Sequence, residues 1–252
     1  MYKTKSNTLF IGKNLVYLPT CQSTNDEAAD LLRLGKGFEG TVVITDYQTA
    51  GRGQRGNEWL TQGGENFTLS LILKPHFLSV SQQFYLNIAV SLGIHDFFDA
   101  FLGEPLKIKW PNDIYFNNQK LGGVLIENSL QHGRIESAII GIGLNINQVM
   151  FESPRATSLK RLILKEHTLH ELLPDLLACL EKNYLLLRNG HHNLLKTRYL
   201  QTLFRYQEVH SFRRGEAVFK GMIVGINETG LLAVQVENHL EYFDFKEISY
   251  EF

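Results

Sequence analysis

Cysteine is scarce in this chain of 252 residues, which has two cysteines, Cys21 and Cys179. They lie far apart and show neither a CxxC pair nor the spacing of zinc ligands. We therefore expect two reduced thiols and no disulfide framework. Long apolar runs are also missing. No stretch approaches the roughly 18–20 residues of a membrane span, and the N-terminal segment lacks the apolar core of a secretory signal. These absences predict a cytoplasmic protein without membrane association.

The sequence also has no excess of charge of one sign. Its 25 Lys and Arg residues nearly balance 26 Asp and Glu residues, for a formal net charge of -1. Nonspecific binding to nucleic acid or to membrane surfaces is therefore not expected. The hydrophobic share of 44% is enough for a well-packed core. The length allows one large domain with a small one attached.

The hydrophobic pattern predicts two domains, residues 1–206 and residues 207–252. In the first, strand patterns alternate with amphipathic helices. In the second, short alternating strands are separated by turns rich in Gly and Asn, which is typical of a small antiparallel barrel or sandwich. The predicted strands of the first domain are 9–18, 41–45, 67–73, 106–110, 113–116, 120–127 and 135–145, and the main predicted helices are 81–102, 169–188 and 193–204.

Residues 46–66 form a long polar loop that contains the run GRGQRG, residues 51–56, followed by Trp59. Glycines let backbone N–H groups approach an anion, arginines add permanent positive charge, and an indole offers a flat face for a ring. The alternative is a flexible basic surface loop. The run is neither a phosphate-binding P-loop nor a Rossmann turn, because the spacing and the flanking elements of both are missing.

Two further segments carry polar groups and glycines at strand ends. The first is KWPND, residues 109–113, with Lys120 and the glycine pair 122–123 after it; the second is GIGLNIN, residues 141–147. Missing side chains on a strand mark the close approach of a ligand or of another backbone. The alternatives are a hairpin with a solvated lysine and a twisted or bulged strand.

Four motifs in one order closely resemble the catalytic domain of biotin–protein ligases: STN, YQTAGRGQRG, KWPNDIYFNNQKLGGVLIE and GIGLNIN, within residues 20–147. The resemblance implies an α+β fold with a mixed central sheet flanked by helices, of the class II synthetase type, and a small SH3-like β-barrel at the C-terminus. It also implies formation of biotinyl-5′-AMP from biotin and Mg·ATP, followed by transfer of biotin to a lysine of a biotin carboxyl carrier protein.

The resemblance further implies roles for individual residues. Lys120 and Arg52 are expected to be catalytic, and Asp113 is a possible ligand of Mg²⁺. The biotin-binding set comprises Ser23, Thr24, Asn25, Gln48, Gly51, Arg52, Gly53, Gln54, Lys120, Gly123 and Gly143, and the ATP-binding set comprises Arg55, Trp59, Asn112, Asp113 and Asn145. The sequence departs from some relatives at Gln54, where those relatives carry a second arginine.

Some members of the family carry an additional N-terminal DNA-binding domain. About twenty residues precede Ser23, too few for a three-helix domain, so we expect no operator binding. The expected assembly is a monomer or a weak homodimer.

Three other interpretations remain open from the residues alone. A lipoate–protein ligase or octanoyl transferase would share the fold, but octanoyl transfer needs a cysteine nucleophile, and both cysteines lie outside the motifs. A non-catalytic biotin- or nucleotide-binding regulator would be expected to have lost Lys120 or the arginine loop. A structural protein that functions through residues 207–252 alone would leave the four motifs unexplained.

Overall fold

A computed structural model describes residues 7–252, apart from the side chain of Arg55; residues 1–6 of the N-terminal segment, where we expect no secretory signal, lie outside the described residues. Twelve strands and five α-helices account for most of the described chain. The strands are β1 (Leu15–Cys21), β2 (Val42–Gln48), β3 (Phe67–Leu73), β4 (Leu106–Lys109), β5 (Asp113–Phe116), β6 (Gln119–Gln131), β7 (Arg134–Leu144), β8 (Val209–Arg214), β9 (Ala217–Ile226), β10 (Leu232–Val236), β11 (His239–Phe243) and β12 (Ser249–Tyr250). The helices are α1 (Thr24–Arg33), α2 (Gln83–Leu102), α3 (Leu159–Ile163), α4 (Leu169–Arg188) and α5 (His192–Gln201).

Seven strands form the central sheet in the order β1-β2-β3-β7-β6-β5-β4. Only the pair β1 and β2 is parallel, and the other neighbours are antiparallel. The parallel connection requires a crossover, and α1 supplies it. All seven strands predicted for the first domain therefore belong to one mixed sheet.

The two faces of the central sheet are covered differently, as β3 illustrates. Phe67, Leu69 and Leu71 point to one face and join the main core, whereas Ser70 and Ile72 point to the other face, towards α1. This alternation follows from the period of two in a strand. One face is thus a continuous apolar core, and the face under α1 carries small and polar side chains.

The main core is completed by α2, which packs against α4, α5 and β4. Apolar residues surround α2 on nearly every side, and Leu86, Ile88, Leu92 and Phe98 are all buried. A helix that is apolar all round must be covered on all sides. Burial between the sheet and α4 satisfies that requirement.

The C-terminal strands form a separate five-stranded antiparallel sheet in the order β11-β10-β9-β8-β12. It docks on the unit that contains the central sheet through Trp110, whose indole N–H donates to the carbonyl of Gly230 at 2.9 Å. Lys109 also faces this junction, with its Nζ 4.9 Å from the ring centre of Tyr250 and 5.2 Å from that of Tyr115. Burial lowers the pKa of Lys109. The first two residues of KWPND therefore serve the junction between the units.

The predicted α+β class, with a mixed sheet, flanking helices and a small C-terminal β unit, is confirmed. The domain boundary near residue 206 stays a prediction. Some element bounds were wrong: the strand expected at 9–18 begins at Leu15, because Gly12, with a φ of 78°, forms a turn before it. None of the helices in the described chain has both the length and the apolar character that a membrane crossing requires.

Gly230 fixes the docking of the C-terminal sheet, because a Cβ there would lie 2.2 Å from the Phe84 ring and its φ is 93°. We expect Gly230→Ala to lower the free energy of unfolding by about 1–3 kcal/mol through overpacking and backbone strain. Chemical denaturation followed by circular dichroism measures this. The matched control is Gly225→Ala, where a Cβ would meet no atom within 4 Å and the change should stay within about 0.5 kcal/mol. Equal effects of the two substitutions would contradict the packing argument.

Candidate active site

A cavity with a volume of about 740 Å³, including its open mouth, lies on the face of the central sheet that α1 partly covers. This size is typical of a site for a small molecule. It is lined by Ser23, Thr24, Asn25, Gln48, Arg52, Gly53, Gln54, Asn57, Glu58, Trp59, Thr68, Leu69, Asn112, Asp113, Lys120, Gly123, Val124, Leu125, Gly141, Ile142, Gly143 and Phe245. Residues from all four sequence motifs therefore meet in one cavity.

The floor of the cavity is made by strand residues with small side chains. In the strand register, Gly143 of β7 pairs with Thr68 of β3 on one side and with Gly123 of β6 on the other. A Cβ at Gly143 would lie 2.3 Å from the Trp59 ring, and a Cβ at Gly123 would lie 2.8 Å from the Asp113 carboxylate. The glycines therefore leave room for side chains that cross above the sheet.

One end of the cavity is polar and tightly hydrogen-bonded. The hydroxyl of Ser70 lies 2.7 Å from the hydroxyl of Thr24 and 2.6 Å from Oδ1 of Asn25. The backbone N–H of Thr24 donates to Oε1 of Gln48 at 2.7 Å. This bond orients the amide of Gln48. Its Oε1 accepts from Thr24, and its Nε2 is the donor for a bound molecule. This end is suited to a neutral polar head with both donors and acceptors.

The other end of the cavity carries an ion pair, in which Nζ of Lys120 lies 2.7 Å from Oδ1 of Asp113. Both side chains are partly exposed, at 34% and 27%. The Lys120 ammonium also lies 5.9 Å from the ring centre of Trp59. Asn112 supports this end from below, because its amide donates to the carbonyl of Val124 at 2.6 Å. An ammonium and an indole face here meet the needs of a nucleotide.

Arg52 stands at the rim of the cavity, where it is held by carboxylates of the protein. Its Nη1 lies 2.7 Å from both carboxylate oxygens of Asp26, and its Nη2 lies 3.4 Å from Glu127. The hydrogen bond to Asp26 raises the pKa of Arg52 above its ordinary value. Glu127 is shared, since it also accepts from the amide of Asn25 at 2.6 Å. The loop arginine is therefore tied to both α1 and β6.

The glycine-rich loop folds back on itself and delivers Trp59 to the cavity. The backbone N–H of Trp59 donates to the carbonyl of Gly51 at 3.0 Å, and the N–H of Gly53 donates to Asn57 at 2.6 Å. A Cβ at Gly51 would lie 2.4 Å from the carbonyl oxygen of Trp59. Gly51 thus permits the close approach of the two loop arms, and it is not among the lining residues.

Two predicted site residues, Gly51 and Asn145, are not among the residues that line the cavity. Gly51 lies in the loop against the backbone of Trp59, and the side chain of a further predicted residue, Arg55, lies outside the described residues. Asn145 is buried beneath the site, and its amide donates to the carbonyl of Thr157 at 3.0 Å. In the structure the side chain of Asn145 therefore joins β7 to the segment before α3. The remaining predicted residues line the cavity together.

The sequence analysis missed several lining residues, notably Thr68, Leu125, Gly141 and Phe245. Gly141 carried a usable signal, because it alternates with Gly143 on a strand. Thr68 and Leu125 lie in strands whose pattern indicated only burial. Phe245 comes from the C-terminal unit, and no local pattern connects it with the motifs.

The two cysteines are free and take no part in the cavity. Burial raises the pKa of both thiols, which disfavours the reactive thiolate. Within residues 7–252, no cluster of three or more His, Cys, Asp or Glu side chains is placed to hold a metal ion.

The biotin/lipoate A/B protein ligase family matches residues 17–145 of the chain. The bifunctional ligase/repressor BirA of Bacillus spizizenii is 29% identical over 239 residues, which cover 93% of this chain and 73% of that protein. The biotin–[acetyl-CoA-carboxylase] ligase of Paracoccus denitrificans is 37% identical over 134 residues, which cover 51% of this chain and 53% of that protein. The solved structure of the biotin protein ligase of Aquifex aeolicus, in complex with biotin and ATP, superposes with a TM-score of 0.79 at 27% identity. The superposition covers 95% of this chain and 99% of that chain.

Gly143 is the position at which the floor depends most directly on a missing side chain. We expect Gly143→Ala to displace the Trp59 indole and to shift its fluorescence emission to longer wavelength, because the ring becomes solvated. The control carries the same change together with Trp59→Phe; the remaining tryptophan, Trp110, is not in contact with a Cβ at residue 143 and is held by its hydrogen bond to Gly230, so it should report no shift. An unshifted emission in the Gly143→Ala variant would contradict the contact.

Proposed function

The chain belongs to the biotin/lipoate A/B protein ligase family, and on this premise we propose that it is a biotin–protein ligase. It forms biotinyl-5′-AMP from biotin and ATP and then transfers biotin to a lysine of a biotin carboxyl carrier protein. The observation that supports the proposal is a single cavity with glycines in its floor. One end of this cavity offers hydrogen bonds at Thr24 and Gln48, and the other end carries the ammonium group of Lys120. These two ends match the neutral ureido ring and the reacting carboxylate of one molecule.

The first step joins two anions, and the cavity supplies the positive charge that this requires. A carboxylate oxygen of biotin attacks the α-phosphorus of ATP, the new oxygen–phosphorus bond forms, and pyrophosphate leaves. Lys120 is placed to offset the charge that develops on the phosphoryl oxygens. The guanidinium of Arg52 adds further donors at the rim. Trp59, Asn112 and Asp113 are the residues we assign to the nucleotide side.

Mg²⁺ is proposed to enter the site with the triphosphate, whose oxygens are its main ligands. Asp113 is the carboxylate at the cationic end that can join them, although its Oδ1 is paired with Lys120. One protein carboxylate fits a cation that the nucleotide carries, because Mg²⁺ needs few protein ligands beside phosphates. When bound, the ion neutralises the phosphate charge.

In the second step, the amine of the acceptor lysine attacks the acyl carbon, the carbon–nitrogen bond forms, and AMP leaves. The acceptor has to reach the cavity from outside. An open groove of about 1040 Å³ adjoins it and shares the wall residues Gln54, Asn112, Leu125 and Phe245. We assign this groove, which lies between the catalytic unit and the C-terminal sheet, to the lysine-bearing segment of the carrier.

The decisive measurement is the exchange of labelled pyrophosphate into ATP, with wild type and Lys120→Ala. We expect exchange that requires biotin and that falls by about 10²–10³-fold in the variant, because the charge at the reacting centre is lost. Lys160→Ala is the matched control, since Lys160 is also paired with a carboxylate, Glu166, at 2.7 Å, and it should keep full activity. Exchange with lipoate in place of biotin would indicate a lipoate ligase. Biotin binding without any exchange would indicate a non-catalytic regulator.

Gln54 lines both the cavity and the adjoining groove, where some relatives carry an arginine. We expect Gln54→Arg to slow the release of biotinyl-AMP several-fold, because a cation is added beside the acyl phosphate. The half-life of the enzyme-bound adenylate, followed after removal of free biotin, measures this. Gln54→Met is the control for side-chain length without charge and should not slow release. Unchanged or faster release from Gln54→Arg would refute the prediction.

A further inference from the structure

Thr68 is a buried threonine in the floor of the cavity. It is 3% exposed, it lines the cavity, and its Oγ1 is buried without a hydrogen-bond partner in the described part of the chain. A hydroxyl that is removed from water without a partner destabilises the fold, and valine would fill the same volume without this cost. The unpaired hydroxyl therefore suggests a partner that arrives with a ligand.

The neighbouring hydroxyls on the same face of the sheet are all engaged within the protein. Ser70, two residues along β3, contacts Thr24 and Asn25 at 2.7 and 2.6 Å. Thr45, which pairs with Thr68 from β2, donates to the carbonyl of Tyr47 at 3.1 Å. Among these three floor hydroxyls, Thr68 alone has no partner in the described chain.

The strand register places Thr68 at a defined distance from the cationic end. Thr68, Gly143 and Gly123 form a row across β3, β7 and β6. Two strand spacings, about 10 Å, separate the first residue of the row from the last. Nζ of Lys120 lies only 3.2 Å from where a Cβ on Gly123 would stand, and the Trp59 indole covers Gly143. A chain laid along this row from Lys120 therefore ends over Thr68.

This arrangement, which rests on the proposed function, fixes the orientation of biotin. With the carboxylate at Lys120 and the Trp59 indole displaced from Gly143, the valeryl chain crosses the two glycines and the bicyclic ring lies over Thr68. The ureido heteroatoms face the polar end at Thr24 and Gln48. The remaining heteroatom of the ring is the thioether sulfur, which lies beside the carbon that bears the valeryl chain and on the opposite side from the ureido group.

We propose that the hydroxyl of Thr68 donates a hydrogen bond to the ring sulfur of biotin and that Thr68 is a specificity-determining residue. A thioether sulfur is a weak acceptor. The contact is nevertheless favourable here, because the free protein holds the hydroxyl buried without a partner. Thr68 therefore favours the sulfur-containing ring over analogues that keep the ureido group and the acyl chain but lack sulfur.

The test compares biotin with dethiobiotin, which lacks the sulfur, on full-length wild type and Thr68→Val. Dissociation constants come from calorimetry. We expect Thr68→Val to weaken biotin binding about three- to tenfold, the range of one neutral hydrogen bond, and to change dethiobiotin binding by less than about twofold. Thr68→Ser, which keeps the hydroxyl, should retain the preference for biotin.

Thr45→Val is the matched control, because it removes a hydroxyl from the adjacent strand that does have a protein partner. It should lower the Tm of the unliganded protein and leave the ratio of the two dissociation constants unchanged. Thr68→Val should show the opposite behaviour. Its Tm should be unchanged or higher, and the dissociation constant of dethiobiotin divided by that of biotin should be smaller than in the wild type. If Thr68→Val fails to fold, the pair Thr68→Ser and Thr68→Ala provides the same hydroxyl comparison, because both have lost the methyl group.

Each other outcome overturns the proposal. An equal loss for both ligands would show that the hydroxyl does not contact the sulfur, and no loss for either would show that it does not contact the ligand. A wild type that binds neither ligand would refute the proposed function itself. This last result is distinguishable because it appears without any substitution at Thr68.

Discussion

The geometry of the cavity depends on the register of β7 between β3 and β6. This register brings Gly143 level with Thr68 and Gly123, and it brings Gly141 level with Ser70. A shift by one residue would turn the glycines to the apolar core and bring isoleucine side chains into the cavity. The large buried core on the opposite face makes such a shift costly, because every core side chain of β7 would leave its place. The packing of the core therefore holds the floor of the site in position.

The cationic groups of the site are paired with carboxylates of the protein. Lys120 is paired with Asp113, and Arg52 is paired with Asp26 and Glu127. All these side chains are partly exposed, so the pairs contribute little to stability. Their effect is to orient the cations, which reduces the reorganisation needed when anionic substrates bind. The arrangement also keeps the loop arginine close to the rim that it is proposed to cover.

The C-terminal sheet is linked to the site because the segment between β11 and β12 contributes Phe245 to the cavity wall. Its position follows from the hydrogen bond between Trp110 and the carbonyl of Gly230, and from the aromatic surroundings of Lys109. The motif KWPND thus has two tasks along five residues. Its first part anchors the small unit, and its last part, Asn112 and Asp113, faces the cavity. The turn between β4 and β5 allows this division, because the residues on its two sides face different neighbours.

The sequence by itself determined the strands and helices through their alternation and periodicity, which are local properties, and its four motifs, through their resemblance to a known family, determined the fold class and most of the chemical groups in the cavity. Only the tertiary structure decided which groups face one another. It turned Asn145 towards Thr157 and away from the cavity lining, and it brought Thr68 and Phe245 into the cavity from segments whose local pattern indicated burial alone. The physical reason is that strand register and domain docking depend on contacts between residues far apart in the chain, which no short pattern specifies.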